Sequence, residues 1–162
     1  MLEIERTYLV KKIPSNLSSY TSCQIKQGYL SLSSSPLRIR QKGAKFELTK
    51  KLPLKADDFS SSEETTISLT ESEFNTLWPL VVKSLKKTRY CVPIGGGLTA
   101  ELDIFQEGLE GLALVEVEFV SEKQMTLFQP PTWFGRDVTQ EEFSANVFLA
   151  GKTYVEVKRY LE

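Results

Sequence analysis

Leu2-Glu3-Ile4-Glu5-Arg6-Thr7-Tyr8-Leu9-Val10 alternates in polarity. Leu2, Ile4 and Tyr8, with Leu9 or Val10, supply apolar bulk, and Glu3, Glu5 and Thr7 fall on the other face. Period two is a strand signal. A half-buried strand ordinarily turns its polar face to water, and for this stretch alone a solvated face is the plain reading. The pattern returns in Arg38-Ile39-Arg40, Lys87-Thr88-Arg89, Glu101-Leu102-Asp103 and Glu116-Val117-Glu118. Each sets two like charges on one strand face with a neutral residue between them.

Strand patterns cover residues 2–10, 23–30, 37–42, 45–52, 62–69, 85–93, 98–105 and 112–120. Gly28 marks a bulge or a close approach of backbone. Residues 31–36 form a serine-rich turn and 53–61 a polar loop. Thr70 with Glu73 three residues on is a capping box that opens a helix. Its apolar stripe is Phe74, Leu77, Trp78 and Val81, and Pro79 ends it near Trp78. Gly95-Gly96-Gly97 precedes a strand, so it is no nucleotide-binding glycine loop. Residues 122–128 suit one helical turn and 130–135 a packed aromatic loop. Thr139 with Glu142 predicts a helix to about Ala150. Residues 155–161 alternate again, and the segment 151–162 is an extra edge strand, a tail, or a plug for one end of a barrel. Short connections favour antiparallel neighbours. The expected fold is mainly β (α+β): one domain over 1–162, an eight-stranded antiparallel closed barrel with flanking helices.

The chain has 162 residues, 20 of them basic and 21 acidic, for a net charge of -1. This balance argues against a general nucleic-acid binder but leaves room for a local basic cavity. There is no histidine. Imidazole catalysis, imidazole-built zinc sites and Ser-His-Asp triads are excluded. A metal would need carboxylate and oxygen ligands, which suits magnesium, manganese or calcium. Cys23 and Cys91 read as buried free thiols, not a disulfide framework. No window approaches the ~18 apolar residues of a membrane span. The start is acidic within three residues, unlike a signal peptide. A cytoplasmic protein is the expectation.

If the barrel closes with its charged faces inward, the lumen receives Glu3, Glu5, Glu64, Glu101, Asp103, Glu116 and Glu118. It also receives Arg38, Arg40, Lys51, Lys87 and Arg89. Ile4, Ile39, Phe46, Leu48, Ile67, Tyr90, Leu102, Ile104, Val115, Val117 and Phe119 then face outward and need covering by helices and the aromatic loop. Burying so many charges without a ligand is costly. Arginine and lysine match phosphoryl oxygens, and carboxylates hold the divalent metal that bridges to a polyphosphate. Glu47, Lys42, Lys45 and Lys50 read as surface charges, and Tyr29, Trp78 and Trp133 as packing anchors.

Glu3-Ile4-Glu5 near the N-terminus resembles the Glu-x-Glu-x-Lys opening of the CYTH domain, the triphosphate tunnel metalloenzyme superfamily. Gln27-Gly28-Tyr29-Leu30, Leu37-Arg38-Ile39-Arg40 and Leu48-Thr49-Lys50-Lys51 resemble that family's next strands. Lys87-Thr88-Arg89-Tyr90 with Val92-Pro93 resembles its small bacterial members. Glu101-Leu102-Asp103-Ile104-Phe105, Val115-Glu116-Val117-Glu118 and Trp133-Phe134-Gly135-Arg136-Asp137-Val138-Thr139 follow in the family's order. The likeness spans residues 2 to 150. The lysine of the opening signature is replaced by Thr7, and Thr66 stands where an acid often does.

The resemblance implies an eight-stranded tunnel, dependence on Mg2+ or Mn2+, and a small-molecule triphosphate substrate. In its terms Glu5, Arg40 and Arg89 are the catalytic candidates. Lys26, Arg38, Arg40, Lys51, Lys87 and Arg89 would bind substrate, Lys26 standing in for the lost lysine. Glu3, Glu5, Glu64, Glu101, Asp103, Glu116 and Glu118 would hold metal. Hydrolysis of inorganic triphosphate is the leading expectation. A non-catalytic polyphosphate- or nucleotide-binding module and a class IV-type adenylate cyclase are the alternatives. Neither nucleic acid nor a membrane is expected as a partner, and a homodimer is compatible with the sequence.

Overall fold

The computed structural model describes residues 1–31, 33 and 35–162. The serine-rich turn expected over 31–36 falls partly on residues 32 and 34, outside the described ones. The strands are β1 (Leu2–Val10), β2 (Thr21–Tyr29), β3 (Leu37–Lys42), β4 (Lys45–Lys55), β5 (Asp58–Leu69), β6 (Lys83–Gly95), β7 (Leu98–Phe105), β8 (Ala113–Glu118) and β9 (Phe134–Asp137). The helices are α1 (Glu71–Leu77), α2 (Glu122–Leu127), α3 (Asn146–Leu149) and α4 (Tyr154–Val157), with short 3-10 turns between them.

Eight strands form an antiparallel ring in the order β1-β5-β4-β3-β2-β6-β7-β8, which returns to β1. The closing seam is short: Leu2, Ile4 and Glu3 between them face Glu63, Ser61 and Ser62 of β5. The rest of that edge of β1 is taken by β9, where Tyr8 meets Asp137 and Val10 meets Phe134. β9 was not expected. It pairs because β5 leaves half of β1 open, and Gly135 can approach because even a Cβ there would lie 3.1 Å from the Cβ of Leu9.

The apolar core lies outside the ring, as the inverted arrangement requires. Ile4, Tyr8, Leu102, Val115, Val117 and Phe119 are buried between the outer face of β1, β7 and β8 and a cover made by α2 and the 128–134 segment. On the opposite wall Phe74 of α1 packs on Phe46, ring centroids 5.1 Å apart, and stacks on Trp78. Thr70 and Glu73 form the expected capping box, and the α-helix stops at Leu77, before Pro79. Ile67, expected among the covered outer residues, is left 58 % exposed.

One end of the barrel is plugged. Leu9, Tyr29, Leu85, Phe105 and Leu114 turn inward there and pack against Leu149, Ala150 and Val157 of the C-terminal helices. Residues 154–160 are helical, so the edge-strand alternative is corrected. Thr153 and Glu156 form a second capping box, with the Glu156 carboxylate accepting from the Thr153 N–H and hydroxyl. The helix expected from Thr139 to Ala150 is also corrected. The Thr139 hydroxyl accepts from the Thr7 N–H instead of capping a helix. Only a 3-10 turn (Glu142–Ser144) and the single turn of α3 form.

The loop expected over 53–61 is largely strand, since β4 and β5 run on as a hairpin. Asp58 holds its base: its carboxylate accepts from the Ser60 N–H and hydroxyl and from Gln140 Nε2, while the Phe59 N–H donates to Gln140 Oε1. The Ser60 hydroxyl and N–H and the Gln140 amide hold the Asp58 carboxyl down to about 2.

At Gly28 the register is regular, so the glycine marks close approach and not a bulge. A Cβ there would sit 2.6 Å from Val81 Cγ1 and 3.1 Å from Trp78. Gly28→Ala is therefore expected to cost about 1–3 kcal/mol in urea denaturation, with Val81→Ala in the same chain recovering part of it. Because the folded-state pKa of Asp58 is depressed, the stability it contributes is present above the ordinary aspartate pKa of about 4 and is lost as pH falls through about 2. Thermal melts of Asp58→Asn should thus lie below those of the native chain at neutral pH and converge on them toward pH 2.

Candidate active site

Every charged strand motif delivers its side chains to the lumen, because the register keeps their parity. Arg40 lies opposite Glu47 and Lys51 opposite Glu64. Arg89 lies opposite Asp103, Glu101 opposite Glu116, and Glu5 opposite Glu118. The last two are like-charge pairs, which destabilise adjacent strands unless a cation intervenes.

Arg89 is that cation on one wall. Its Nε donates to Asp103 Oδ1 and its Nη2 to Asp103 Oδ2, both at 2.7 Å, and it also reaches Glu101 and Glu116. Lys87, 1 % exposed, donates to Asp103 Oδ2 and to Asn146 Oδ1 of α3. Burial opposes the charge on Glu116, but Arg89, Lys87 and Lys51 outweigh it and hold the carboxyl down to about 2. Burial also opposes the charge on Arg89, and Asp103, Glu116 and Glu101 more than restore it.

The facing wall is looser. Arg40 makes a two-nitrogen contact with a single oxygen of Glu47, at 3.1 and 2.8 Å. The nearest acceptor to Arg38 is Glu64, at 3.4 Å, and the buried Arg38 Nε has no hydrogen-bond partner among the described residues. Burial and the neighbouring Arg40 lower the pKa of Arg38. Lys51 Nζ bridges Glu3 Oε2 at 3.1 Å and Glu5 Oε1 at 2.7 Å. Burial raises the pKa of Glu5 against the pull of Lys51, with Glu116 and Glu3 adding to the rise. Glu118 stands at the rim of a cleft of about 220 Å3 that Glu101, Thr99 and Gln124 also line. Partial desolvation there and the carboxylates of Glu101, Glu3 and Glu5 push its carboxyl up.

One sequence-predicted site residue is misplaced. Lys26 points out of the barrel, with its ammonium 4.0 Å over the Trp78 ring and 5.9 Å from Phe74. The strand is unbulged, so the even-numbered Lys26 cannot share a face with Gln27 and Tyr29. It does not replace a lysine at position 7. Thr7 does face the lumen, opposite Glu116.

Four lumen residues escaped the sequence reading. Glu47, read as a surface charge, is the partner of Arg40. Gln27 Nε2 donates to the Tyr29 hydroxyl at 2.8 Å, and burial, against the field of Arg38, pushes the Tyr29 pKa up to about 12. Tyr29 is thus both a packing anchor and a lumen wall. Asn146 could not be found from strand parity because it enters from the plug.

Among the described residues no three acidic or cysteine side chains converge as a ready metal cage. The carboxylates are instead drawn to cations. The donor set is nonetheless oxygen-only and anionic, and Glu3 and Glu5 already share one cation, the Lys51 ammonium. Both features suit a hard divalent ion.

A closed antiparallel tunnel lined with carboxylates facing basic residues defines a class of polyanion-and-metal proteins, and the comparisons narrow it. No family model matches the chain. A curated inorganic triphosphatase of Nitrosomonas europaea is 38 % identical over 153 residues, spanning 93 % of this chain and 97 % of the relative. A crystal structure of that inorganic triphosphatase superposes with a TM-score of 0.67, covering 91 % of this chain and 93 % of the other. A protein of Pyrococcus horikoshii shares the fold at 17 % identity and a TM-score of 0.56, covering 74 % and 79 %. The chain belongs to the CYTH, or triphosphate tunnel metalloenzyme, family. Membership in that family implies dependence on metal.

Removing Arg89 would leave Asp103, Glu101 and Glu116 facing one another in the lumen. Arg89→Met is expected to cost about 3–5 kcal/mol in denaturant unfolding. Adding Asp103→Leu should restore much of the loss, because it removes the most deeply buried of the stranded charges.

Proposed function

We propose that the protein hydrolyses inorganic triphosphate, or another small molecule bearing a triphosphate, with magnesium or manganese. The observation that carries this reading is Arg38. Its side chain is 14 % exposed, its Nε has no acceptor among the described residues, and its nearest carboxylate is at the limit of hydrogen-bond range. Buried donors require acceptors, and the oxygens of a polyphosphate suit a guanidinium that shares its lumen with Arg40 and Lys51. The kinship with a relative named as an inorganic triphosphatase supports the same substrate.

In this reading Arg38, Arg40 and Lys51 bind the phosphates and offset charge as it develops on the transferring group. Glu3, Glu5, Glu116 and Glu118 hold the divalent ion, with Glu64 and Glu101 as further donors. The bound ion supplies Lewis acidity at the terminal phosphoryl group and makes water more acidic. Arg89, a catalytic candidate by resemblance, is engaged by three carboxylates, and its role here is to hold Glu101, Asp103 and Glu116 in position. Lys87 is fixed by Asp103 and Asn146 in the same way. The plugged end keeps bulk water from the deep side and favours a short polyanion over a nucleic acid. Among the described residues no helix is long and apolar enough to cross a membrane. We place the protein in the cytoplasm, where free thiols such as Cys23 and Cys91 persist.

Thr7 favours a second reading, a tunnel that binds a triphosphate without turning it over. Position 7 carries no charge, and Lys26 is outside the barrel. Product analysis separates the two. Given inorganic triphosphate and Mn2+, the native chain is expected to release orthophosphate, with Thr7→Lys raising kcat. Tight binding without orthophosphate, and turnover only in Thr7→Lys, would establish the binding module. Cyclic AMP and pyrophosphate formed from ATP would establish the cyclase instead.

A further inference from the structure

By register Lys51 belongs with Glu64, directly across from it on β5. Its ammonium does not go there. It crosses the closing seam to β1 and sits between Glu3 and Glu5, at 3.1 and 2.7 Å, while Glu64 turns to Arg38. Glu3 and Glu5 share one strand face, and without a cation between them their carboxylates repel. The ammonium thus holds the oxygens that a divalent ion would need.

Two of the other lumen cations, Lys87 and Arg89, are fixed. Lys87 and Arg89 have side chains 2 % and 7 % exposed, each held from more than one side. The Lys51 side chain is 37 % exposed and carries its charge on a flexible four-carbon stem. It can leave the seam without opening a buried void.

We propose that Lys51 is a resident counter-cation, displaced from Glu3 and Glu5 when a divalent ion enters and thereby released to bind triphosphate. The proposal rests on the reading of the lumen as a metal and triphosphate site. It makes the two ligands cooperative: metal frees the ammonium that triphosphate uses, and by linkage triphosphate favours metal entry.

Titration with Mn2+ alone, followed by calorimetry or by the electron paramagnetic resonance of free Mn2+, tests it. Lys51→Gln is expected to bind Mn2+ about tenfold more tightly than the native chain, a coupling of ordinary allosteric size. Lys51→Arg, which keeps a cation, should bind it no more tightly than the native chain. Arg40→Gln removes a lumen charge that contacts Glu47 and neither Glu3 nor Glu5, and should change Mn2+ affinity by less than about threefold, as a field effect alone would. Without metal, Lys51→Gln should alter tripolyphosphate affinity little, because the ammonium is already engaged. With Mn2+ present and a non-hydrolysable triphosphate analogue as probe, it should weaken binding about tenfold.

Unchanged Mn2+ affinity in Lys51→Gln, or an equal rise in Arg40→Gln, overturns the displacement. If triphosphate turnover persists beside that result, the functional reading stands and this inference alone falls. Tighter Mn2+ binding in Lys51→Gln with neither binding nor turnover of triphosphate would leave the displacement standing and sink the functional reading. Absence of Mn2+ binding to every variant overturns both.

Discussion

Three strands of the barrel meet on one guanidinium. Arg89 leaves β6, grips Asp103 of β7 through two parallel bonds, and extends to Glu101 on β7 and Glu116 on β8. Glu101 and Glu116 face each other directly across the β7–β8 ladder. At the ~5 Å spacing of such pairs and an effective dielectric constant near 20, their repulsion is about 3 kcal/mol. Without a cation the two strands would splay or one acid would take up a proton. Buried ion networks of this kind rarely stabilise a protein more than apolar packing would. Their presence in a lumen that could have been filled with leucine is an argument for a ligand.

A charged interior reverses where the hydrophobic effect acts. Apolar side chains from β1, β7 and β8 point away from the barrel axis, so stability comes from what covers the outside. This accounts for the segments between and after the strands. α1 covers the β3–β5 wall, and the aromatic run ending in Trp133 and Phe134 covers the opposite one. β1 is covered twice and paired twice, since β5 and β9 share its second edge. The short β1–β5 seam is also where Lys51 crosses to Glu3 and Glu5, so an ion pair reinforces the thinnest part of the ring.

The charged strands were legible because alternation of like charges over four or five of them has few explanations other than a polar lumen. Parity then placed Glu3, Glu5, Arg38, Arg40, Lys51, Glu64, Lys87, Arg89, Glu101, Asp103, Glu116 and Glu118 on one side. β2 resisted that treatment. Its inward face reads Cys23, Ile25, Gln27, Tyr29, with Cys23 and Ile25 uncharged beside Arg89 and Lys87 and only Tyr29 reaching the plug. The suspected bulge at Gly28 left the face of Lys26 open, and only the regular register settles that it lies outside. Glu47 was read as a surface charge although it shares a strand face with Lys51, and the β3–β4 hairpin sets it directly opposite Arg40, seven residues away. At the C-terminus the alternation of Val155 and Val157 suggested a strand, yet Thr153 with Glu156 repeats the capping signal of Thr70 with Glu73. Capping chemistry outweighed periodicity, and the segment packs across the barrel's end through Val157.

Thr7 ties these features together. Its backbone is fixed from both sides, the N–H donating to the Thr139 hydroxyl and the carbonyl accepting from the Val138 N–H. The geometry of position 7 therefore does not depend on its side chain. What the side chain would have supplied is charge, at a point facing Glu116 and two residues along the same face from Glu5. With threonine there, Glu116 is left to Arg89 and Glu5 to Lys51, one fixed cation and one movable one. A lysine at position 7 would compete for both carboxylates and relieve Lys51 of its place between Glu3 and Glu5.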